Sequence, residues 1–203
     1  MIGNDIVDLH YAAQHHDWRR HGYVEKVFTG EERVRIENSA TPDHLVWTLW
    51  SVKESAYKFS VQQGAARKYA PKQLVTEYLT TLDDGHAIYS VSHQGVSCCI
   101  IVEQDASCIH SVALPYRSVW ESVQIGKVEL STDDVAGQRS RLRGALYSNY
   151  IERTSTVAAD YRIRKSPAGV PYLFAGKERV GISLSFSHHG HLGAFAYSLG
   201  SEG

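Results

Sequence analysis

Glu54 and Lys58 stand four residues apart in Trp50-Ser51-Val52-Lys53-Glu54-Ser55-Ala56-Tyr57-Lys58, a segment that is otherwise apolar almost all the way round. Residues four apart share a helix face, and an exposed Glu-to-Lys pair of this kind stabilises a helix by roughly 0.2–0.5 kcal/mol. Here Val46, Trp47, Leu49, Val52, Ala56, Phe59 and Val61 leave little of the cylinder for water. A buried charge needs compensation, and a metal ion or an anionic ligand would supply it. Lys53 on the same helix either contacts such a ligand or closes a structural salt bridge. A second carboxylate source is Ile2-Gly3-Asn4-Asp5-Ile6-Val7-Asp8-Leu9. Strand alternation points Asp5 with Val7 and Leu9, and Asp8 with Ile6 to the other side. Aspartate is unfavourable packing in a β-branched strand, and an oxygen ligand for a divalent ion is one reason to keep Asp5 there. Asp8, at the strand end, reads as a helix cap or turn residue. In Ile182–Ser187 a hydroxyl face of Ser183, Ser185 and Ser187 alternates with an apolar one and delivers His188 to a turn. That hydroxyl and imidazole can bind phosphate oxygens, while a solvent-facing serine ladder is the ordinary meaning of the pattern.

The elements that must carry these residues suggest an α+β fold. The first half, residues 1–115, reads as a strand near Ile2–Leu9, a helix near Val46–Gln63 and strands near Leu74–Leu82, Ala87–Ser92, Val96–Glu103 and Ser107–Leu114. After a connecting segment, Pro115–Leu130, the second half, residues 116–203, has a helix near Asp133–Arg153 and strands near Tyr161–Lys165, Ile182–Ser187 and Leu192–Leu199. Ser92-His93-Gln94-Gly95 and Ser187-His188-His189-Gly190 echo one another, each opening a strand after a short turn. The expectation is two similar halves, each a long helix on a small antiparallel sheet, related by a pseudo-twofold axis with a site between them.

Composition narrows the classes. The chain has 203 residues, a formal charge of -1 and 43% hydrophobic residues, with no global positive field for nucleic acid. No apolar run approaches the roughly 20 residues of a membrane span, and the N-terminus lacks a signal-peptide pattern, so a cytoplasmic protein is expected. Cys98, Cys99 and Cys108 lack metal-ligand spacing and read as reduced buried thiols. P-loop, Gly-rich dinucleotide and nucleophile-elbow motifs are absent.

Together these motifs resemble the 4'-phosphopantetheinyl transferase superfamily. Gly3-Asn4-Asp5-Ile6-Val7 is similar to its Gly-x-Asp-Ile element, and Trp50 to Lys58 to its Trp-Ser-x-Lys-Glu-Ser/Ala-x-x-Lys signature. Phe28-Thr29-Gly30-Glu31-Glu32 resembles the segment before the signature helix. Gly169-Val170-Pro171, followed by Ser185-Phe186-Ser187-His188-His189-Gly190, resembles the Gly-Lys-Pro and Ser-His-Ser-Gly elements. The halves run in the reverse order to the large surfactin-synthetase type, with the first motifs arranged as in the short holo-acyl-carrier-protein synthases, which assemble as trimers. The chain reads as a fused pseudo-dimer that would act as a monomer. Val7 stands where the large type has a second carboxylate, and Val170 where it has the lysine of Gly-Lys-Pro, so that phosphate contact is lost or moved to Lys165.

The resemblance implies transfer of the 4'-phosphopantetheine arm of coenzyme A to a serine of an apo acyl or peptidyl carrier protein, with release of 3',5'-ADP. It implies Asp5 and Glu54 as ligands of Mg2+, with Mn2+ as an alternative ion. Glu54 and Lys58 would be catalytic, the base being Glu54 or a water on the metal. Lys58, Ser187, His188, Lys165 and Arg141 would bind coenzyme A, the arginine from the group Arg139, Arg141 and Arg143. Trp18-Arg19-Arg20 lies where the short synthases dock their carrier. A coenzyme A-binding or regulatory protein of the same fold without transfer, or a Mg2+-dependent phosphohydrolase, are the alternatives.

Overall fold

The computed structural model describes residues 1–130, 134–156 and 160–199. The chain begins with β1 (Gly3–Asp8), then α1 (Leu9–His15), α2 (Tyr23–Val27), α3 (Gly30–Glu37) and the long α4 (Pro42–Gln62). Next come β2 (Val75–Thr81), β3 (Ala87–His93), β4 (Val96–Gln104) and β5 (Cys108–Leu114). The remainder is β6 (Val123–Glu129), α5 (Val135–Thr154), β7 (Tyr161–Lys165), β8 (Pro171–Ala175), β9 (Glu178–Arg179), β10 (Ile182–His189) and β11 (Leu192–Leu199). The architecture is mixed, with helices on antiparallel sheets ordered β1-β5-β4-β3-β2, β10-β11-β6 and β7-β8-β9. No helix among the described residues is long and apolar enough to cross a membrane.

Helix α4 opens on Pro42, whose missing N–H would have had no helical partner. Its apolar residues Val46, Leu49, Val52, Ala56 and Phe59 are buried against Val7, Tyr89, Val91, Ile100, Ile109 and Ala113 of the five-stranded sheet. Strand β1 lies so close to the helix that a Cβ on Gly3 would collide with the Ser55 carbonyl and come within 2.7 Å of the Phe59 nitrogen. Glycine is therefore required there by contact and not by backbone angle. The opposite face of the sheet, with Ile2, Ile88, Ile101, Val112 and Leu114, packs on Ala196 and Ile125 of the β10-β11-β6 sheet. Helix α5 covers that second sheet through Leu142, Leu146 and Tyr150, which meet Leu184, Phe195 and Tyr197.

Several expectations are corrected here. Pro115–Leu130 is not a mere connection, because it contains β6, whose alternation is broken at Gly126 to make room for the ring of Phe195 opposite. Ser185 and Ser187 do not form a solvent-facing ladder: both are buried, since β10 lies against β1. The two-residue turns set His93 opposite Val96 and His189 opposite Leu192, so the structural counterpart of His93 is His189 and not His188. The second long helix starts at Val135, capped by the Asp134 carboxylate on the amides of Ala136 and Gly137; the expected start at Asp133 and the last residues of the second half lie outside the described residues. All three cysteines are free thiols, and burial pushes Cys98 up to about 12.

Candidate active site

Asp5, Glu54 and Lys58 come together where β1 crosses α4. Asp5 shares the α4-facing side of β1 with Gly3 and Val7, as alternation requires. Lys58 Nζ donates to Asp5 Oδ1 at 2.9 Å and to the Asn4 carbonyl at 2.8 Å. The lysine thus reaches across to the strand in preference to a simple pairing along its own helix. The pair is only partly sheltered, with side chains 29% and 12% exposed.

Glu54 is half-buried on the same helical face as Trp50, Tyr57 and Lys58. Burial, reinforced by the charge of Asp5, pushes its carboxyl up to about 7, while Lys58 and Tyr69 oppose that rise. Tyr69 is held between the rings of Trp50 and Tyr57, at centroid distances of 5.9 and 5.0 Å. Its hydroxyl is buried without a partner inside hydrogen-bonding distance, yet stands near enough to Glu54 to favour the ionised carboxylate. Tyr23, packed on Trp50, is pushed up to about 12 by burial, with the charge of Glu54 adding to the rise.

Lys53 belongs to the scaffold. Its ammonium, wholly buried, donates to the carbonyls of Pro71 at 2.8 Å and Leu74 at 2.7 Å and pairs with Glu32 at 2.9 Å. Burial lowers the lysine's pKa and Glu32 counteracts it. Glu32 also accepts from the Thr29 amide in the capping box of α3 and from the Thr76 hydroxyl, so all of its charge is spent on packing. Asp8, as expected, caps α1 through the Tyr11 amide, and it also accepts from the His191 amide.

A cleft of about 250 Å³ opens beside Lys58 and is lined by Arg67, Lys165, Val170, Ser185 and Phe186. The surroundings of Lys165 are strongly cationic: burial, then Arg139, Arg143 and Arg67, lower its pKa. Arg139 and Arg143, four apart, share a face of α5, whereas Arg141 lies on a different face and is not among those neighbours. Arg67 was not anticipated, because it follows α4 in a stretch without periodicity. Gly169, at φ +81°, lets its guanidinium approach, with Cζ 3.3 Å from where a Cβ would stand.

His188 is exposed on β10. Burial of part of the ring, then Lys58, Arg139 and Lys165, lower its pKa, and Asp5 pulls it upward. It therefore shares one electrostatic neighbourhood with Lys58, Asp5 and the cationic cleft. Ser187 does not line that cleft: its oxygen accepts from Asn4 Nδ2 at 3.0 Å, which turns it toward β1. Beyond this region Arg19 is paired with Asp43 at 2.5 Å, and Arg20 stacks over Tyr23.

Among the described residues no group of three or more histidine, cysteine or acidic side chains could hold a metal ion. Asp5 and Glu54 offer two carboxylates whose charges repel each other in a sheltered setting, a donor set that suits an ion needing one or two carboxylates plus water and phosphate oxygens.

Residues 1–100 match the family model of the 4'-phosphopantetheinyl transferase superfamily. No curated protein matches the chain.

Proposed function

We propose, from the match of residues 1–100 to the 4'-phosphopantetheinyl transferase superfamily, that the chain moves the 4'-phosphopantetheine arm of coenzyme A onto a serine of an apo acyl or peptidyl carrier protein. The observation that carries the reading is the meeting of Asp5, Glu54 and Lys58 beside a cleft lined by Arg67 and Lys165. In the reaction the serine oxygen bonds to the β-phosphorus, the pyrophosphate bridge breaks, and 3',5'-ADP leaves.

Such a transfer is mostly a matter of in-line positioning and charge neutralisation. Lys58 would shift from Asp5 and the Asn4 carbonyl toward the pyrophosphate, and His188 would meet the same oxygens from β10. Lys165 and Arg67, with Arg139 and Arg143, would hold the 3'-phosphate. Glu54, poised near neutrality, would take the serine proton. Asp5 and Glu54 are the residues that would hold Mg2+ or Mn2+, whose chemistry is to offset the pyrophosphate charge. The two halves, 1–115 and 116–203, would build the site within one cytoplasmic monomer.

The test is to incubate the protein with coenzyme A, Mg2+ and an apo carrier, then weigh the carrier. A gain of one phosphopantetheine arm is expected. Release of 3',5'-ADP with an unmodified carrier would mean hydrolysis, and no product of either kind would mean a binding protein; both outcomes sink the proposal.

A further inference from the structure

Asn4 stands between Gly3 and Asp5, yet it makes more polar contacts across the molecule than either neighbour. It is fully buried on the β10-facing side of β1. Its amide N–H donates to Ser185 Oγ at 2.9 Å, and its Nδ2 donates to Ser187 Oγ at 3.0 Å. The same Nδ2 lies 3.2 Å from His110 Nε2. Its carbonyl accepts from Lys58 Nζ at 2.8 Å. The main chain of residue 4 thus holds Ser185 and Lys58, contacts that any side chain would leave in place, while the asparagine side chain itself reaches His110 and Ser187, which immediately precedes His188.

Buried polar contacts between two sheets are costly unless the geometry is satisfied, so such a joint fixes one placement of β10 against β1. His110 fits this role as a neutral acceptor, since burial and the nearby lysines lower its pKa to about 3. Nε2 faces the Asn4 amide, while His110 Nδ1 and Asn4 Oδ1 are buried without a hydrogen-bond partner, so the side chain holds the register through Nδ2 alone. Apolar side chains could hold the sheets together without a defined register along the strand. The amide sets that register to within a hydrogen-bond length.

We propose that the Asn4 side chain is a positioning group: by binding Ser187 through Nδ2 it fixes the neighbouring His188 on β10 at the spacing from Lys58 at which both reach one pyrophosphate. The inference rests on the transfer reading above, with His188 as a coenzyme A contact.

The test is a double-variant cycle on coenzyme A affinity, measured by calorimetry for the wild type, Asn4→Ala, His188→Ala and the double variant, well below each melting temperature. Asn4→Ala should weaken binding by up to about tenfold, the size of one lost neutral hydrogen bond. In the His188→Ala background the Asn4 effect should shrink severalfold, because the group it positions is gone. A merely structural asparagine would lower the melting temperature while leaving affinity intact, or give two losses that add in full; either result overturns the inference. Should Asn4→Ala fail to fold, Ser187→Ala replaces it in the same cycle. A wild-type chain that binds no coenzyme A would remove the transfer reading itself, an outcome distinct from additive losses in a protein that does bind.

Discussion

Glu54→Gln should make the metal-free protein more stable at alkaline pH while removing its activity. Glu54 titrates near 7 where an ordinary glutamate titrates at 4.5, so the folded chain holds that proton more tightly than the unfolded chain. Below about 4.5 both states are protonated and there is no penalty. Between 4.5 and 7 the unfolded chain ionises first and stability falls as pH rises; above 7 the whole penalty is present. At about 1.4 kcal/mol per pH unit the total is roughly 3 kcal/mol, most of it from burial and part from Asp5. Glutamine keeps the shape and cannot ionise. Urea unfolding of both proteins in EDTA, at pH 5 and pH 8, isolates the effect, because titrating groups that do not interact with Glu54 cancel in the difference. The variant should gain about 2–3 kcal/mol on the wild type between those two pH values. A difference that stays flat would refute the claim that Glu54 is held in a destabilising place for its chemistry, and a trend of opposite sign would mean that its pKa is depressed by Lys58.

Three further outcomes are expected. His188→Ala should lose about 1.5–3 kcal/mol of coenzyme A binding or turnover, whereas His93→Ala, which removes a buried ring with neither nitrogen bonded, should alter stability alone; a severe kinetic defect in His93→Ala with a mild one in His188→Ala would move the coenzyme A contact from β10 to the β3–β4 turn. Arg67→Ala should raise KM for coenzyme A about tenfold, as for a lost hydrogen bond to a charged group, and leave 3'-dephospho-coenzyme A unaffected; equal losses for both donors would move the 3'-phosphate elsewhere. Lys53→Met strands the Glu32 carboxylate in the core and should cost about 3–5 kcal/mol in urea unfolding, with Glu32→Gln recovering part of it in the double variant; a neutral Lys53→Met would mean that the pair is not what holds α3 to α4.

What could be seen in the residues alone follows from which forces are local. Periodicity located α4, β1 and both hairpins, because an apolar stripe or an alternation is a property of consecutive residues. Asp8 declared itself as a cap for the same reason. Helices α1, α2 and α3 did not declare themselves, since at five to eight residues each they carry too few turns for a stripe. Strand β6 was hidden by Gly126, whose purpose is visible only once Phe195 stands opposite it. The serines of β10 alternated as read, but alternation says which residues share a face and not what covers that face; the cover is Asn4, some 180 residues away.

Lys53, Glu54 and Lys58, three charges in the second half of α4, give the sharpest case, because they look alike in sequence and meet different fates. Helical spacing pairs Glu54 with Lys58, yet the strand carboxylate of Asp5 is the stronger competitor for that ammonium, and it leaves Glu54 facing a wall of aromatic rings. Lys53, one residue from Glu54, turns about 100° away and finds Glu32 on α3. A fully buried ammonium with three oxygen partners has nothing left to offer a ligand. Glu54 has no such saturation: what surrounds it raises its pKa and leaves it in want of a cation or a proton. On the proposed reading, chemistry falls to the charge that the fold leaves incompletely matched, whereas satisfied burial marks the charge that serves the scaffold.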